Sequence, residues 1–305
     1  MSDTFDELLP LLTEARNPKT MNIDRADILE MLTMINEEDR KIASAVEKEI
    51  PTIAEAVGFT ISSFKSGGRL IYVGAGTSGR LGVLDAAECP PTFGSDPRMV
   101  VGVIAGGPEA LVRPVEGAED SSDDGAKRID QLLVGARDTV VGITASGRTP
   151  FVIGALIRAR QLGARTVGLS TNENPKIRDY VDVMITPIVG PEVITGSTRM
   201  KSATAQKLIL NMISTASMIG IGKVYQNLMV DLKPWSKKLE ERSKKIIMEL
   251  TKVEYNRANE AFESSGRDLK VAIIVIETGV TPEKAKDALS SSEGHVYRAV
   301  SLLRG

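Results

Sequence analysis

Cysteine, histidine and aromatic side chains are nearly missing from this chain of 305 residues, and each scarcity removes a class of function. A single cysteine, Cys89, cannot close an intramolecular disulfide, and with a single histidine, His295, it leaves no Cys/His cluster of the kind zinc requires. Cys89 is therefore expected to be structural and His295, far along the chain, to serve at a surface or a helix cap. An excess of charge of either sign is also lacking: 38 lysines and arginines against 40 acidic residues leave a net charge of −2, which gives no electrostatic footprint for nucleic acid or an anionic membrane. No apolar run is long enough to span a membrane, and the start Met1-Ser2-Asp3-Thr4-Phe5-Asp6-Glu7 is acidic where a secretory leader would be basic and then apolar. These absences predict a cytoplasmic protein with no nucleic-acid or membrane partner. With aromatics at only 4%, the core must be built from Ile, Val, Leu, Met and Ala, which suits a sheet covered on both faces.

What the chain does carry is a pair of similar turns, Gly74-Ala75-Gly76-Thr77-Ser78-Gly79-Arg80 and Thr144-Ala145-Ser146-Gly147-Arg148-Thr149-Pro150. Each closes a β-branched apolar run, Leu70-Ile71-Tyr72-Val73 or Val140-Val141-Gly142-Ile143, and each opens a stretch of helical spacing. Strand, glycine-bearing turn and helix aim unpaired N–H groups and a positive helix end at one point, and an anion belongs there. Thr77, Ser78, Ser146 and Thr149 add hydroxyls that can donate to phosphate oxygens, while Gly76, Gly79 and Gly147 keep Cβ atoms out of a ligand's way. Arg80 and Arg148 stand open between phosphate ligand and surface charge. Two such turns at one sheet edge predict a small phosphorylated ligand.

Residues 1–65 read as helices punctuated at Asn17-Pro18 and Pro51, and Ser66-Gly67-Gly68 delivers the chain into a first strand. Apolar runs at 69–74, 99–105, 138–144, 165–170 and 181–188 then alternate with helical stretches. That alternation predicts five parallel strands in a doubly wound sheet, with ligand chemistry at their carboxyl ends. A helix is expected after Gly196-Ser197-Thr198 to about 219. Near Lys233-Pro234-Trp235 the composition shifts to a charged helical face, and the tail at 245–305 shows three short helical patterns. The last two are parted by Gly279-Val280-Thr281-Pro282-Glu283, a turn and N-cap with proline at the helix start. The organisation expected is an N-terminal helical segment (1–55), a ligand-binding α/β domain (56–222) and a small C-terminal helical bundle (235–305).

Taken literally, Gly74-Ala75-Gly76-Thr77-Ser78-Gly79 also fits the dinucleotide fingerprint, but Val103-Ile104-Ala105-Gly106-Gly107 offers no acidic residue to hold a ribose, and a second phosphate turn would be superfluous. Two acidic positions are of interest instead. In Leu84-Asp85-Ala86-Ala87-Glu88-Cys89-Pro90-Pro91 the prolines are expected to end the helix, leaving Glu88 at its terminus with a rigid exit. A second cluster, Val115-Glu116-Gly117-Ala118-Glu119-Asp120-Ser121-Ser122-Asp123-Asp124, follows the second strand, and its spacing is not that of a calcium loop. A carboxylate from each could flank a ligand anchored by the turns, as a proton-transfer reaction needs.

The stretch from Gly74 through Ser78-Gly79-Arg80-Leu81-Gly82-Val83-Leu84-Asp85-Ala86-Ala87-Glu88-Cys89-Pro90-Pro91-Thr92-Phe93-Gly94 closely resembles the signature of the bacterial N-acetylmuramic acid 6-phosphate etherases. The likeness extends through Glu14-Ala15-Arg16-Asn17-Pro18, Ile35-Asn36-Glu37-Glu38-Asp39, Val115-Glu116-Gly117-Ala118-Glu119-Asp120, Ala145-Ser146-Gly147-Arg148-Thr149-Pro150 and Asn227-Leu228-Met229-Val230-Asp231, and covers most of 12–232. The resemblance implies an α/β fold of the sugar isomerase (SIS) type, a five-stranded parallel sandwich that binds phosphosugars, as a homodimer with sites near the subunit interface. It implies cleavage of the lactyl ether of N-acetylmuramic acid 6-phosphate to N-acetylglucosamine 6-phosphate and D-lactate in cell-wall recycling, with no metal and no other cofactor. Carried over, Glu88 matches the family's proton donor and Glu119 its second catalytic glutamate, the two turns match its substrate-binding segments, and the tail looks like a ubiquitin-associated-type bundle. Whether Glu116 or Asp120 assists is left open. An aldose–ketose isomerase and a phosphosugar sensor that never turns its ligand over are the alternatives on the same domain.

Overall fold

The five apolar runs become the five strands of one parallel sheet, β1 (Leu70–Gly74), β2 (Val100–Ile104), β3 (Thr139–Ile143), β4 (Arg165–Leu169) and β5 (Val183–Ile185), in the order β2-β1-β3-β4-β5. The computed structural model describes residues 11–231 and 236–305. The acidic start at Met1–Glu7 and the change of composition at Lys233-Pro234-Trp235 lie outside the described residues.

Among the described residues three α-helices precede the sheet: α1 (Ile28–Asp39), α2 (Lys41–Glu47) and α3 (Ile50–Lys65). Asp27 and Glu30 cap α1 reciprocally, each side chain accepting from the other's backbone N–H at 2.8 and 3.1 Å. Pro51 lies in the first turn of α3, where its missing N–H is not needed. The sheet is covered by α4 (Gly76–Phe93), α5 (Ser122–Gln131), α6 (Pro150–Gln161) and α7 (Lys201–Gly220). β1 and β3 are buried throughout. On one face Ile71, Val73 and Val140 pack with Val152, Ala155 and Leu156 of α6. On the other, the Tyr72 hydroxyl donates to Asp85 of α4 at 2.9 Å, and Asp85 accepts from Asn211 and Ser214 of α7 at 2.7 and 3.1 Å. One buried carboxylate thus ties two helices to the central strand.

The prolines at 90 and 91 do not end α4. The helix runs through both to Phe93, because a proline ring sets a helical φ and because Cys89 and Phe93 bury the last turn. The stop is Gly94, in the left-handed region at φ +59°, whose N–H closes on Pro90 O at 2.9 Å. Glu88 therefore sits within the helix rather than at its end.

Two compact units emerge from the backbone contacts: the described residues up to 88 with 97–214, and 89–96 with the described residues from 215 onward. The N-terminal helices α1–α3 belong to the sheet-bearing unit. The second unit opens with a hairpin, β6 (Val224–Tyr225) and β7 (Leu228–Met229), turned by Gln226 at φ +53°. It continues as α8 (Lys237–Thr251), on the charged helical face expected there, and then as four helices where three patterns were expected: α9 (Tyr255–Ser264), α10 (Leu269–Thr278), α11 (Pro282–Ser291) and α12 (Val296–Arg304). The charged face of α9 hides its short apolar stripe from a periodicity reading, yet Phe262 on it, like Ile247 of α8, is fully buried against Leu269 and Ile273 of α10. Thr281 caps α11, with Pro282 at its start, as the turn chemistry predicts. His295 holds the N-cap position of α12 and its Nε2 lies 3.1 Å from Gly220 O.

Candidate active site

In an open parallel sheet the ligand crevice forms where the strand order reverses, and here that point lies between β1 and β3, paired in register from Leu70–Thr139 to Gly74–Ile143. A cavity of about 340 Å³ opens at their carboxyl ends. Gly76, Thr77 and Ser78 of the first turn line it, as do Ser146, Arg148 and Thr149 of the second.

The first turn works through backbone geometry. A Cβ on Gly79 would lie 2.7 Å from Gly74 O and 2.6 Å from Ile104 Cγ1, so glycine there lets α4 start hard against the strand rather than meeting a ligand. Gly76 needs its φ of +52°, and a Cβ there would meet only open space. The N–H groups of Gly76, Thr77 and Ser78 lead α4 and have no carbonyl one turn back, whereas Gly79 N already bonds Ala75 O at 3.1 Å. Ser78 is buried, its Oγ 2.9 Å from Gln206 Oε1 on α7.

The second turn is held by its own side chains. Thr144 Oγ1 contacts Thr149 Oγ1 at 2.8 Å and accepts from Gly147 N at 3.2 Å, while Ser146 Oγ accepts from Arg148 N at 3.2 Å. Gly147, at φ +72°, does not line the cavity; a Cβ on it would collide with Pro175. Arg148 donates from Nη1 to Asn174 O at 3.2 Å, which turns part of its guanidinium toward the protein, but its buried Nε has no partner among the described residues. The start of α6 differs from the sequence expectation. Pro150 has no N–H to offer, and the N–H of Phe151 donates to Glu119 O at 3.0 Å. That helix end therefore fixes the backbone of Glu119, and of the helices that follow the two turns it is α4 whose leading N–H groups have no helical partner.

Glu119 and Asp120 both line the cavity. Glu116 and Arg80 line a neighbouring cavity of about 350 Å³ that shares Ala75, Gly76 and Glu119 with the first. Glu88 lines neither cavity. It is exposed on α4, twelve residues from Gly76, or about 18 Å along the axis at 1.5 Å per residue.

Sequence reasoning did not single out Thr13, Glu14, Gly196 and Thr198, which complete the walls. Gly196 N donates to Thr13 O at 3.0 Å, and Asn172 Nδ2 reaches Thr13 Oγ1 at 3.3 Å and Ala145 O at 2.9 Å. The loop holding Gly196 is anchored by Glu192, fully buried, whose two carboxylate oxygens accept the first N–H groups of α7 from Lys201 and Ser202, each at 2.9 Å. The available signal was the glycine-bearing stretch Gly196-Ser197-Thr198 ahead of a long helix, although no strand runs directly into it as at 74 and 144.

A cradle of backbone N–H groups and hydroxyls beside carboxylates suits a phosphorylated polyol undergoing proton transfer. The profile of the glucokinase regulatory protein N-terminal SIS domain matches residues 52–160. An N-acetylmuramic acid 6-phosphate etherase of Caldanaerobacter subterraneus subsp. tengcongensis is 53% identical over 292 residues, covering 96% of this chain and 95% of that protein. Another, from Oceanobacillus iheyensis, is 55% identical over 288 residues, covering 94% and 98%. This chain belongs to the N-acetylmuramic acid 6-phosphate etherase family. Among solved structures, a phosphoheptose isomerase of Neisseria gonorrhoeae aligns over 63% of this chain and 98% of its own at 16% identity, with a TM-score of 0.48. The etherases thus share this chain over nearly its whole length, both compact units included.

Proposed function

We infer that this protein is a carbon–oxygen lyase that cleaves the D-lactyl ether of N-acetylmuramic acid 6-phosphate, releasing D-lactate and N-acetylglucosamine 6-phosphate. The observation that carries it is identity at more than half of the aligned positions to etherases along nearly the whole chain.

The site supports a route for the chemistry. The phosphate takes the leading N–H groups of α4 and the hydroxyls of Thr77, Ser78, Ser146 and Thr149, which leaves the sugar against Glu119. When the ring opens, the C1 aldehyde acidifies the C2 proton, and Glu119 removes it. The C3–O bond breaks as a second carboxylic acid, Glu88, protonates the departing lactate oxygen, leaving a C2–C3 double bond. Water then adds its hydroxyl to C3 and a proton to C2, giving the product with two carboxyl groups as the only proton carriers. This is a step of amino-sugar recycling from the cell wall, placed in the cytoplasm.

Proton transfer needs contact at hydrogen-bond distance, about 3 Å, so an acid some 18 Å along α4 cannot serve the cavity of its own chain. In this reading Glu88 reaches the site of a second copy, and the working unit is a homodimer. The uncovered apolar side chains of α1 support a partner surface: Ile28, Leu29 and Leu32 are 76%, 74% and 59% exposed.

Incubation of the purified protein with N-acetylmuramic acid 6-phosphate is expected to release one D-lactate per N-acetylglucosamine 6-phosphate formed. Sugar isomerisation without lactate would replace the reading with an isomerase, and binding without consumption would replace it with a sensor.

A further inference from the structure

Away from the catalytic cavity the sheet-bearing unit holds a second one, of about 650 Å³, with no lining residue in common with the first. Its ionisable lining is one-sided: Lys19, Arg40, Lys41, Lys48 and Lys201 against Glu38 alone. Glu37, Asp39 and Glu47, exposed on the same helices, do not line it.

Its floor is a buried ion cluster. Lys201 is 0% exposed and Glu38 is 1% exposed. The Lys201 ammonium donates to Glu38 Oε2 at 2.6 Å and to Val189 O at 2.9 Å, while Lys41 engages the other carboxylate oxygen. An ammonium has three N–H donors, and these contacts occupy two of Lys201's. Two lysines on one carboxylate leave an unneutralised positive charge at the floor, to which Lys19, Arg40 and Lys48 add three more at the rim. Such a concentration inside a concave wall focuses potential on an anion, in a chain whose net charge is −2. Four of the five cations are lysines, which act as point charges and suit the spherically distributed charge of phosphate better than a planar carboxylate. Pro18, Ile188 and Val189 supply an apolar wall, and the volume falls within the usual range for small-molecule sites, about 300–1,000 Å³.

We propose that this cavity is a second ligand site, for a small phosphate-bearing metabolite, separate from the catalytic one. Two chain segments connect them. Thr13 and Glu14 line the catalytic cavity while Asn17 and Lys19 line this one, and Gly196 and Thr198 line the first while Ile188, Val189 and Lys201 line the second. A ligand bound here therefore bears on the loop that walls the active site.

Calorimetric titration of the full chain with inorganic phosphate at fixed ionic strength is expected to show two binding events per chain. Charge reversal at the two exposed rim lysines, Lys19→Glu with Lys48→Glu, should weaken one event at least tenfold and leave the other. Because both side chains lie outside the catalytic cavity, lactate release without added phosphate should persist and report a folded protein. Ser146→Ala with Thr149→Ala should weaken the opposite event. A wild-type protein that binds one phosphate, or a charge-reversed protein that binds as the wild type does, overturns the proposal whether or not the etherase reading holds.

Discussion

Ser78 is the residue whose role changes most between sequence and structure. Its hydroxyl was expected to donate to phosphate, but it lies 2.9 Å from Gln206 Oε1, while the buried Nε2 of Gln206 has no hydrogen-bond partner among the described residues. Amide oxygen and nitrogen are assigned from their surroundings. Exchanging them gives the amide proton an acceptor in Ser78 Oγ and returns the serine's own proton to the ligand. Gln206→Glu is then expected to raise KM about ten- to a hundredfold, the equivalent of a lost charge-assisted hydrogen bond, with a much smaller change in kcat. A KM within twofold of wild type would remove Gln206 from phosphate binding. For Glu119 the informative readout is isotopic: Glu119→Gln should stop solvent deuterium entering C2 of the sugar, and exchange at the normal rate would show that another group takes that proton.

At the scale of single elements, the strands were legible because a parallel strand buried on both faces is a continuous apolar run, and each of the five lies within its expected range. What stayed hidden depended on partners distant in sequence. Nothing local says that Phe151 N–H would be spent on Glu119 O, that Gly94 rather than Pro90 would stop α4, or that Thr13 would be drawn to the sheet edge by Asn172. Glu192 is another such case. Glu192→Ala removes the acceptor for two N–H groups at the head of α7 and is expected to cost about 1–2 kcal/mol in urea denaturation, with a raised KM because Gly196 and Thr198 lose their anchor. Glu38 links α1 to α7 and adds a pH dependence. Burial alone would raise its carboxyl, but hydrogen bonds from Lys201, Lys41 and Asn17 outweigh it and hold the pKa at about 2 against an ordinary 4.5. A depressed folded pKa means stability that is complete above pH 4.5 and lost as pH falls toward 2. Glu38→Gln should flatten the Tm-against-pH curve across that window. At neutral pH the same change should destabilise by about 3–5 kcal/mol, since it leaves Lys201 buried without its counter-ion. Asp85 titrates in the opposite sense: burial pushes its carboxyl up, so its contribution weakens as pH rises past its ordinary 3.8.

For the molecule as a whole, the long stretch from Gly74 to Gly94 resembled a catalytic signature, yet its two ends do different things. The glycine turn lines a cavity and Glu88 stands on the exposed side of α4 about 18 Å away. Linear sequence cannot reveal that separation, because a motif carried by one helix looks contiguous whether its residues serve one site or two. If Glu88 and Glu119 act together, symmetry provides the meeting: in a two-fold dimer each site takes Glu119 from one chain and Glu88 from the other. Glu88→Gln and Glu119→Gln are each expected to be inactive alone. Mixed, dissociated and reassociated at equal concentration, half the dimers become hybrids with one site carrying both native glutamates and one carrying neither, so activity should return to about one quarter of wild type. A site built within one chain would stay inactive under the same mixing, since every hybrid site would lack one carboxylate. A mixture that forms hybrids, shown by mass spectrometry, and releases no lactate would therefore remove Glu88 from the partner's cavity and leave the leaving-group acid to be sought among Glu14 and Asp120, the other carboxylates that line it.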